Sequence, residues 1–156
     1  MLHVCMVVML ISTIVVLRLA PGEEAAARVP VLLVASDAPT YATGATVTFS
    51  VALDNPGDVP VTIEFSSDRR FDLAIFSEER ELWRWGADRD FADTESEQTF
   101  PPGVTLLGRV TWNGREANGA LPQPGTYRAV GTLTTLAAPR RGNEVLLRLT
   151  EGDNAD

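Results

Sequence analysis

Lysine, cysteine and histidine are nearly missing from this sequence. Its 156 residues contain no lysine, and Cys5 and His3 are the single cysteine and the single histidine. One cysteine excludes an intrachain disulfide and a thiolate metal cluster. Since His3 also lies in an apolar N-terminal segment, the globular part lacks Ser-His, Cys-His and His-metal sites, and catalysis would depend on carboxylates alone. We therefore expect a protein that is not an enzyme and uses no metal and no cofactor.

The charge balance argues against nucleic-acid binding. All thirteen basic residues are arginine, and 21 acidic residues bring the net charge to −8. Nucleic-acid binding needs a basic footprint that this composition does not supply. With 45% hydrophobic and 22% charged residues, the chain has ordinary globular composition and a length suited to one domain with appendages. These properties describe a single globular domain without a nucleic-acid partner.

An apolar run occupies residues 4–17, broken only by Ser12 and Thr13. It is shorter than the roughly 20 residues of a membrane span but suits the apolar region of an export signal. We predict a signal peptide or signal anchor at residues 1–20 and a proline-bracketed linker at residues 21–30; a buried core helix is the alternative. The expected location is secreted or cell-envelope associated, with membrane anchoring if the segment is retained.

Residues 31–150 repeatedly show the two-residue period of β-strands. The clearest case is residues 46–54, where Val47, Phe49, Val51 and Leu53 alternate with polar or small residues. Similar runs, separated by turns, cover residues 31–35, 61–65, 71–76, 81–85, 104–112, 127–133 and 145–149. About eight short strands with no amphipathic helix between them predict a single all-β domain, an antiparallel sandwich. An acidic tail follows at residues 151–156.

The densest aromatic stretch is a predicted hairpin within residues 71–91. FDLAIF is typical of a half-buried strand, and Trp83 and Trp85 share one face of the strand after it. Two indoles can bury on the order of 200 Å² each, so we expect this hairpin to be the nucleus of the core. Arg84 faces the other way, either pairing with Asp72 across the strands, which we favour, or contacting a partner.

The same stretch resembles the intracellular proteinase inhibitor family of bacilli, the BsuPI-like domain. The residues that carry the resemblance are Asp72, the triplet Trp83-Arg84-Trp85, and Phe91. The resemblance covers residues 31–136 and implies an immunoglobulin-like β-sandwich. The departures from the family pattern are Asp68 for Gly, Arg69 for Gln, Phe71 for Tyr and Gly86 for Ser.

Two functions are compatible with this sequence. The resemblance implies an inhibitor of a subtilisin-type serine protease, which would occupy the protease cleft with an exposed loop. A segment held extended in advance would lose little entropy on binding. The alternative is a non-inhibitory protein-interaction or adhesion module of the cell envelope, because sandwiches of this kind host many unrelated binding functions.

Two aperiodic segments are long enough to be the binding loop. Residues 113–125 contain Asn113, Arg115 and an apolar Leu121 beside Pro122, and this is the loop we favour. Residues 86–98 are acidic and contain Asp88 and Arg89. A charge desolvated in an apolar pocket costs several kcal/mol, which argues against the acidic loop. The candidate partner-binding residues are Asn113, Arg115, Leu121, Pro122, Arg84, Asp72, Asp88 and Arg89.

Overall fold

The structure is a computed structural model that describes residues 29–152, and within that range the chain forms ten β-strands and no helix. The strands are β1 (Val31–Ser36), β2 (Thr40–Ala42), β3 (Val47–Asn55), β4 (Val61–Phe65), β5 (Phe71–Ser77), β6 (Arg80–Arg84), β7 (Ser96–Phe100), β8 (Gly103–Trp112), β9 (Gly125–Leu133) and β10 (Arg140–Thr150).

The strands form a sandwich of two main sheets with a small additional ribbon. One sheet has the order β1-β3-β8, the second has the order β2-β10-β9-β5-β6, and β4 pairs with β7. Each neighbouring pair is antiparallel except β2, which runs parallel to the end of β10. A bridge between Phe65 and Thr135 connects the β4-β7 ribbon to the segment after β9.

The inward faces of the two sheets build the core. Along β3 every second residue is buried and the residues between them are half-exposed, as expected for a strand with one face toward the core. β8 lies beside it and places Val110 and Trp112 on the same inner face. The largest fully buried side chains come from both sheets and the ribbon: Trp112, Phe49, Phe65, Phe100, Leu53, Leu73 and Ile75.

The all-β, antiparallel architecture predicted from the sequence is confirmed. Each of the eight predicted strands has a counterpart, and two further strands were not predicted. β2 lies in a segment interpreted as a turn-rich link, and β7 occupies the end of the acidic segment interpreted as a loop.

The tryptophan hairpin differs from the prediction in two ways. β5 is buried along both faces, because its inner face lies in the core and because Arg84, which pairs with Ala74, and Arg128, which pairs with Phe76, flank its outer face. Trp112 of β8 is the fully buried tryptophan, whereas Trp83 and Trp85 are half-buried and pack against the core from its edge. The core is therefore built around β3, β5 and β8, with the hairpin tryptophans at its border.

The expectations for residues 1–28 and for the end of the acidic tail lie outside the described residues. Within residues 29–152, no helix is long and apolar enough to cross a membrane.

Candidate functional site

The β8–β9 loop, residues 113–124, is exposed but held at both ends. Where it begins, the indole Nε1 of Trp112 donates to the backbone carbonyl of Arg115 at 2.7 Å. Where it ends, the Tyr127 hydroxyl donates to the Gln123 carbonyl at 2.5 Å. Both donors belong to side chains that are buried in the core, so the sandwich itself fixes where the loop leaves and returns.

The tip of this loop, residues 116–121, is braced against the edge of β6. The Ala117 N–H donates to the Leu82 carbonyl of β6 at 2.8 Å, and within the tip the Glu116 N–H donates to the Ala120 carbonyl at 2.9 Å. Gly119 has φ of 86°, a left-handed conformation that favours glycine. The backbone of the tip is therefore organised before any partner arrives.

A bidentate ion pair adds to this bracing. The Arg80 guanidinium of β6 donates to both carboxylate oxygens of Glu116, at 2.8 and 3.0 Å. These hydrogen bonds hold the pKa of Glu116 below its usual range and raise the pKa of Arg80. The sequence analysis missed this pair because 36 residues separate the partners and no local pattern marks them.

The four candidate residues of this loop have different environments. Asn113 is exposed, and its Oδ1 accepts from the Arg115 N–H at 3.2 Å. The Arg115 guanidinium donates to the Gly119 carbonyl at 3.1 Å, so it braces the loop. Pro122 is buried, whereas Leu121 is 49% exposed. Of the apolar pair, Leu121 is the residue that faces solvent.

The β6–β7 loop, residues 85–95, is attached to the domain mainly by aromatic contacts. The Trp85 ring stacks on Phe71 with centroids 4.9 Å apart and contacts the Phe91 ring at 5.6 Å. The Arg89 guanidinium lies 4.7 Å from the Trp85 ring. Asp88 is exposed, and no hydrogen bond or ion pair engages its side chain in the described structure. Phe91 therefore pins the loop to the domain.

Asp72 is the polar centre of the border between β5 and β6. Its residue is only 4% exposed. Its Oδ1 accepts from the N–H groups of Leu73 (2.9 Å) and Gly86 (3.0 Å), and its Oδ2 accepts from Arg84 (3.1 Å) and Arg69 (3.3 Å). The cross-strand ion pair predicted between Arg84 and Asp72 is thus present.

Arg84 joins this centre to Glu81, whose carboxylate also accepts from its guanidinium. The hydrogen bonds that Arg84 donates to Glu81, and then the one it donates to Asp72, raise the pKa of Arg84. Arg84 and Asp72 are therefore engaged within the domain, in keeping with a structural pair.

Gly86 makes room for this arrangement. A Cβ added there would lie 2.9 Å from both Arg69 Nη1 and Asp72 Oδ1. Arg69 and Gly86, two of the residues that depart from the family pattern, are therefore neighbours. The Arg69 guanidinium lies close to the position that a side chain at residue 86 would occupy.

We expect Gly86→Ser alone to lower the free energy of unfolding by about 1–3 kcal/mol, because it overpacks this site. In an Arg69→Gln background the same change should cost less, because the competing guanidinium is gone. Chemical denaturation of the two single variants and the double variant measures this coupling. Strictly additive effects would contradict it.

The domain that carries these two loops matches a known family. A family model described as "Intracellular proteinase inhibitor" matches residues 34–138. The chain belongs to the intracellular proteinase inhibitor family. The family resemblance stated from Asp72, the tryptophan triplet and Phe91 is thereby confirmed, and an inhibitor family agrees with the expectation that this protein is not an enzyme.

Membership in the intracellular proteinase inhibitor family corrects the expected location. The expectation of a secreted or cell-envelope protein is wrong, because the matched family is described as intracellular and so points to the cytoplasm. The apolar run that motivated the expectation fits an export signal by length and composition alone, and those features do not establish its use.

Solved structures similar to this inhibitor-family domain are distant in sequence. Spo0M, a sporulation control protein from Bacillus subtilis, is 14% identical with a TM-score of 0.47, over 79% of this chain and 49% of that one. The CARDB domain of the PF1109 protein from Pyrococcus furiosus is 11% identical with a TM-score of 0.43, over 79% and 94%. A β-glucosidase from Erythrobacter marinus is 15% identical with a TM-score of 0.44, and this chain spans 15% of it. No curated protein matches the sequence.

Proposed function

We propose that this protein inhibits an intracellular subtilisin-type serine protease by placing the tip of the β8–β9 loop in the protease cleft. The observation that carries the proposal is that the tip is exposed yet fixed by the Ala117–Leu82 backbone bond and the Arg80–Glu116 ion pair. The family supports inhibition of a proteinase. We add to this the binding loop, its insertion into the protease cleft and the class of protease.

A pre-organised loop suits inhibition for a thermodynamic reason. Binding costs free energy when flexible segments become ordered, and a loop already held in one conformation avoids most of that cost. The tip also consists largely of small residues, Ala117, Asn118, Gly119 and Ala120, so a protease could approach its backbone closely. Leu121 supplies an exposed apolar side chain next to them.

The β6–β7 loop is the weaker candidate. It contains four acidic residues and one arginine between residues 85 and 95, and an unpaired charge resists transfer into an apolar pocket. Its backbone is tied to the domain near its two ends, where the Trp85 N–H donates to the Leu73 carbonyl at 2.8 Å, the Gly86 N–H donates to Asp72 Oδ1 at 3.0 Å, and the Ala92 carbonyl accepts from the Asp68 N–H at 3.1 Å. None of these bonds reaches residues 88–90 between those ends. It is therefore less well prepared for cleft binding than the β8–β9 loop.

The test is a titration of a subtilisin-type protease with the full chain, in which stoichiometric loss of proteolysis is expected. We expect Leu121→Glu to weaken inhibition by about 10- to 100-fold, since it would bring a charge into the cleft. Leu136→Glu is the matched control, because Leu136 is a leucine of similar exposure (43%) in the connection after β9, and it should inhibit like the natural protein.

A second variant tests the pre-organisation. Arg80→Ala removes the brace on Glu116, and we expect weaker inhibition with little change in thermal unfolding, because the arginine of this ion pair is 64% exposed and such pairs contribute little to stability. Digestion of the natural protein without inhibition would refute the inhibitory function. If neither Leu121→Glu nor Arg80→Ala changes inhibition, the β8–β9 loop is not the binding loop, although the inhibitory function would stand.

A further inference from the structure

Most strand edges in the described part of this sandwich are closed by other groups. On β1, the Asn143 Oδ1 accepts from the Val34 N–H at 2.6 Å and the Asn143 amide donates to the Val34 carbonyl at 2.9 Å. On β6, the Ala117 N–H occupies the Leu82 carbonyl. β2 has only three residues. These three edges offer little backbone for another strand.

β8 is the long edge that remains open. Within residues 29–152, no backbone hydrogen bond reaches β7 or β8 from the side opposite its partner strand. β7 has five residues and exposes Glu97, and charges on short edge strands discourage pairing. β8 has ten residues and a single charge, Arg109. An unpaired edge of this length is a template for strand addition.

The outward face of β8 is apolar where it meets solvent. The register against β3 shifts between Gly108 and Leu106, so a bulge at Leu107 resets the alternation. As a result, Val104, Leu106 and Arg109 all point outward, opposite the outward residues of β3. Val104 is 66% exposed and Leu106 is 57% exposed. The edge therefore combines free backbone groups with uncovered apolar side chains.

Two opposite charges on this face have no partner within the described chain. Neither Arg109 nor Asp54 takes part in a side-chain hydrogen bond or ion pair in residues 29–152. Arg109 lies opposite Ser50, and Asp54 lies four residues further along β3, opposite Val104. At about 3.4 Å per residue the two are roughly 14 Å apart along the strands, too far for an ion pair.

We propose that β8 pairs with β8 of a second copy of this chain, antiparallel and about a twofold axis. In the register that places Arg109 opposite Val104 of the second copy, the Arg109 guanidinium extends toward Asp54 of the second copy. That Asp54 lies on β3, directly beside Val104. The two backbones are then two strand spacings apart, about 10 Å, which an arginine and an aspartate side chain span together. The twofold axis repeats this ion pair, so Arg109 and Asp54 of each copy both gain a partner of opposite charge.

The occupant follows from this complementarity. The twofold axis of an antiparallel pair places the two ends of β8 opposite each other. Because β8 carries Arg109 toward one end and lies beside Asp54 at the other, the strand is complementary to a second copy of itself. No acidic residue lies within β8, so the contact avoids the repulsion expected between two chains of net charge −8. Because Asn143 closes β1, the six-stranded sheet cannot extend further and assembly stops at two copies.

Sedimentation equilibrium of the full chain tests the proposal through paired charge reversals. The natural protein should show a concentration-dependent monomer–dimer equilibrium. Arg109→Glu and Asp54→Arg should each weaken dimerisation by about tenfold, because each places like charges together at both symmetry-related positions. An equimolar mixture of the two variants should regain dimers, since both pairs are again of opposite charge in the mixed dimer.

Controls separate this contact from other routes to association. Arg148→Glu changes an exposed arginine on β10 of the other sheet, and Leu146→Gln changes an exposed leucine on the same strand; both should dimerise normally. Leu106→Gln should weaken the dimer. A natural protein that stays monomeric at all accessible concentrations overturns the proposal. So does a dimer that is insensitive to all three β8 and β3 variants, or a mixture that fails to restore association.

Discussion

Replacing Trp112 by alanine is expected to lower the free energy of unfolding by about 3–5 kcal/mol. The side chain is fully buried on the inner face of β8 and contacts Trp83, with ring centroids 6.5 Å apart. Truncation would leave a cavity in a core whose neighbouring strands cannot collapse freely. The indole Nε1 would also stop donating to the Arg115 carbonyl, which releases the start of the β8–β9 loop.

Two companion variants resolve that effect into its parts. Trp112→Phe keeps most of the buried volume but removes the donor, and should cost less, with about 1 kcal/mol from the hydrogen bond. Trp83→Ala removes a half-buried ring at the border of the core and should cost clearly less than Trp112→Ala. Denaturant unfolding followed by circular dichroism measures all three. Equal losses for Trp83→Ala and Trp112→Ala would contradict the burial that distinguishes them.

The sequence alone did not single out the buried tryptophan. Trp83 and Trp85 attracted attention because they share one strand face in a dense aromatic stretch, but β6 is an outer strand of its sheet and Trp85 lies just beyond its end. Trp112 ends an ordinary alternating run, and only its position opposite Val47 places it in the middle of the core. Strand alternation indicates which face is apolar, while the neighbours of that face depend on sheet order.

The two unpredicted strands have the same kind of explanation. β2 consists of three residues whose pairing depends on the end of β10, more than a hundred positions away. β7 is polar except for Phe100 and forms because β4 lies beside it. Neither contains an apolar period that could mark it locally.

For the two candidate loops, local sequence patterns predict exposure but not conformation. Both were predictable as exposed connections because their sequences lack strand periodicity and contain turn residues. The bracing of the β8–β9 loop was not predictable, since it comes from Arg80 and Leu82 of β6. The burial of Pro122 beside an exposed Leu121 likewise depends on tertiary packing. The bracing on which the proposed inhibitory site depends is thus defined only by the fold.

Replacing Asp72 by alanine should lower the free energy of unfolding by about 2–4 kcal/mol. The change removes the shared acceptor of two arginines and two backbone N–H groups in a nearly buried position. The loss should stay below that of a fully buried broken ion pair, because Arg69 and Arg84 are about one-third exposed and can regain water. Arg84 also keeps its bond to Glu81.

Asp72→Asn separates the charge from the shape of this side chain. The amide oxygen can still accept from the N–H groups of Leu73 and Gly86, so the loss should be smaller than for alanine, about 1–2 kcal/mol. Asp88→Ala is the control, because Asp88 is exposed on the β6–β7 loop, and its removal should change stability by less than about 0.5 kcal/mol. Denaturant unfolding of the three variants provides the comparison.

Inhibition measured on the same variants decides between the two roles considered for Asp72 and Arg84. If they form a structural pair, Asp72→Asn should bind a protease as the natural protein does at temperatures where it remains folded, because the β8–β9 loop is anchored through Arg80, Leu82 and Trp112. A folded Asp72→Asn variant with strongly weakened inhibition would instead place the β5–β6 border in the contact surface. A stability loss below about 0.5 kcal/mol for Asp72→Ala would show that the buried carboxylate does not hold this border together.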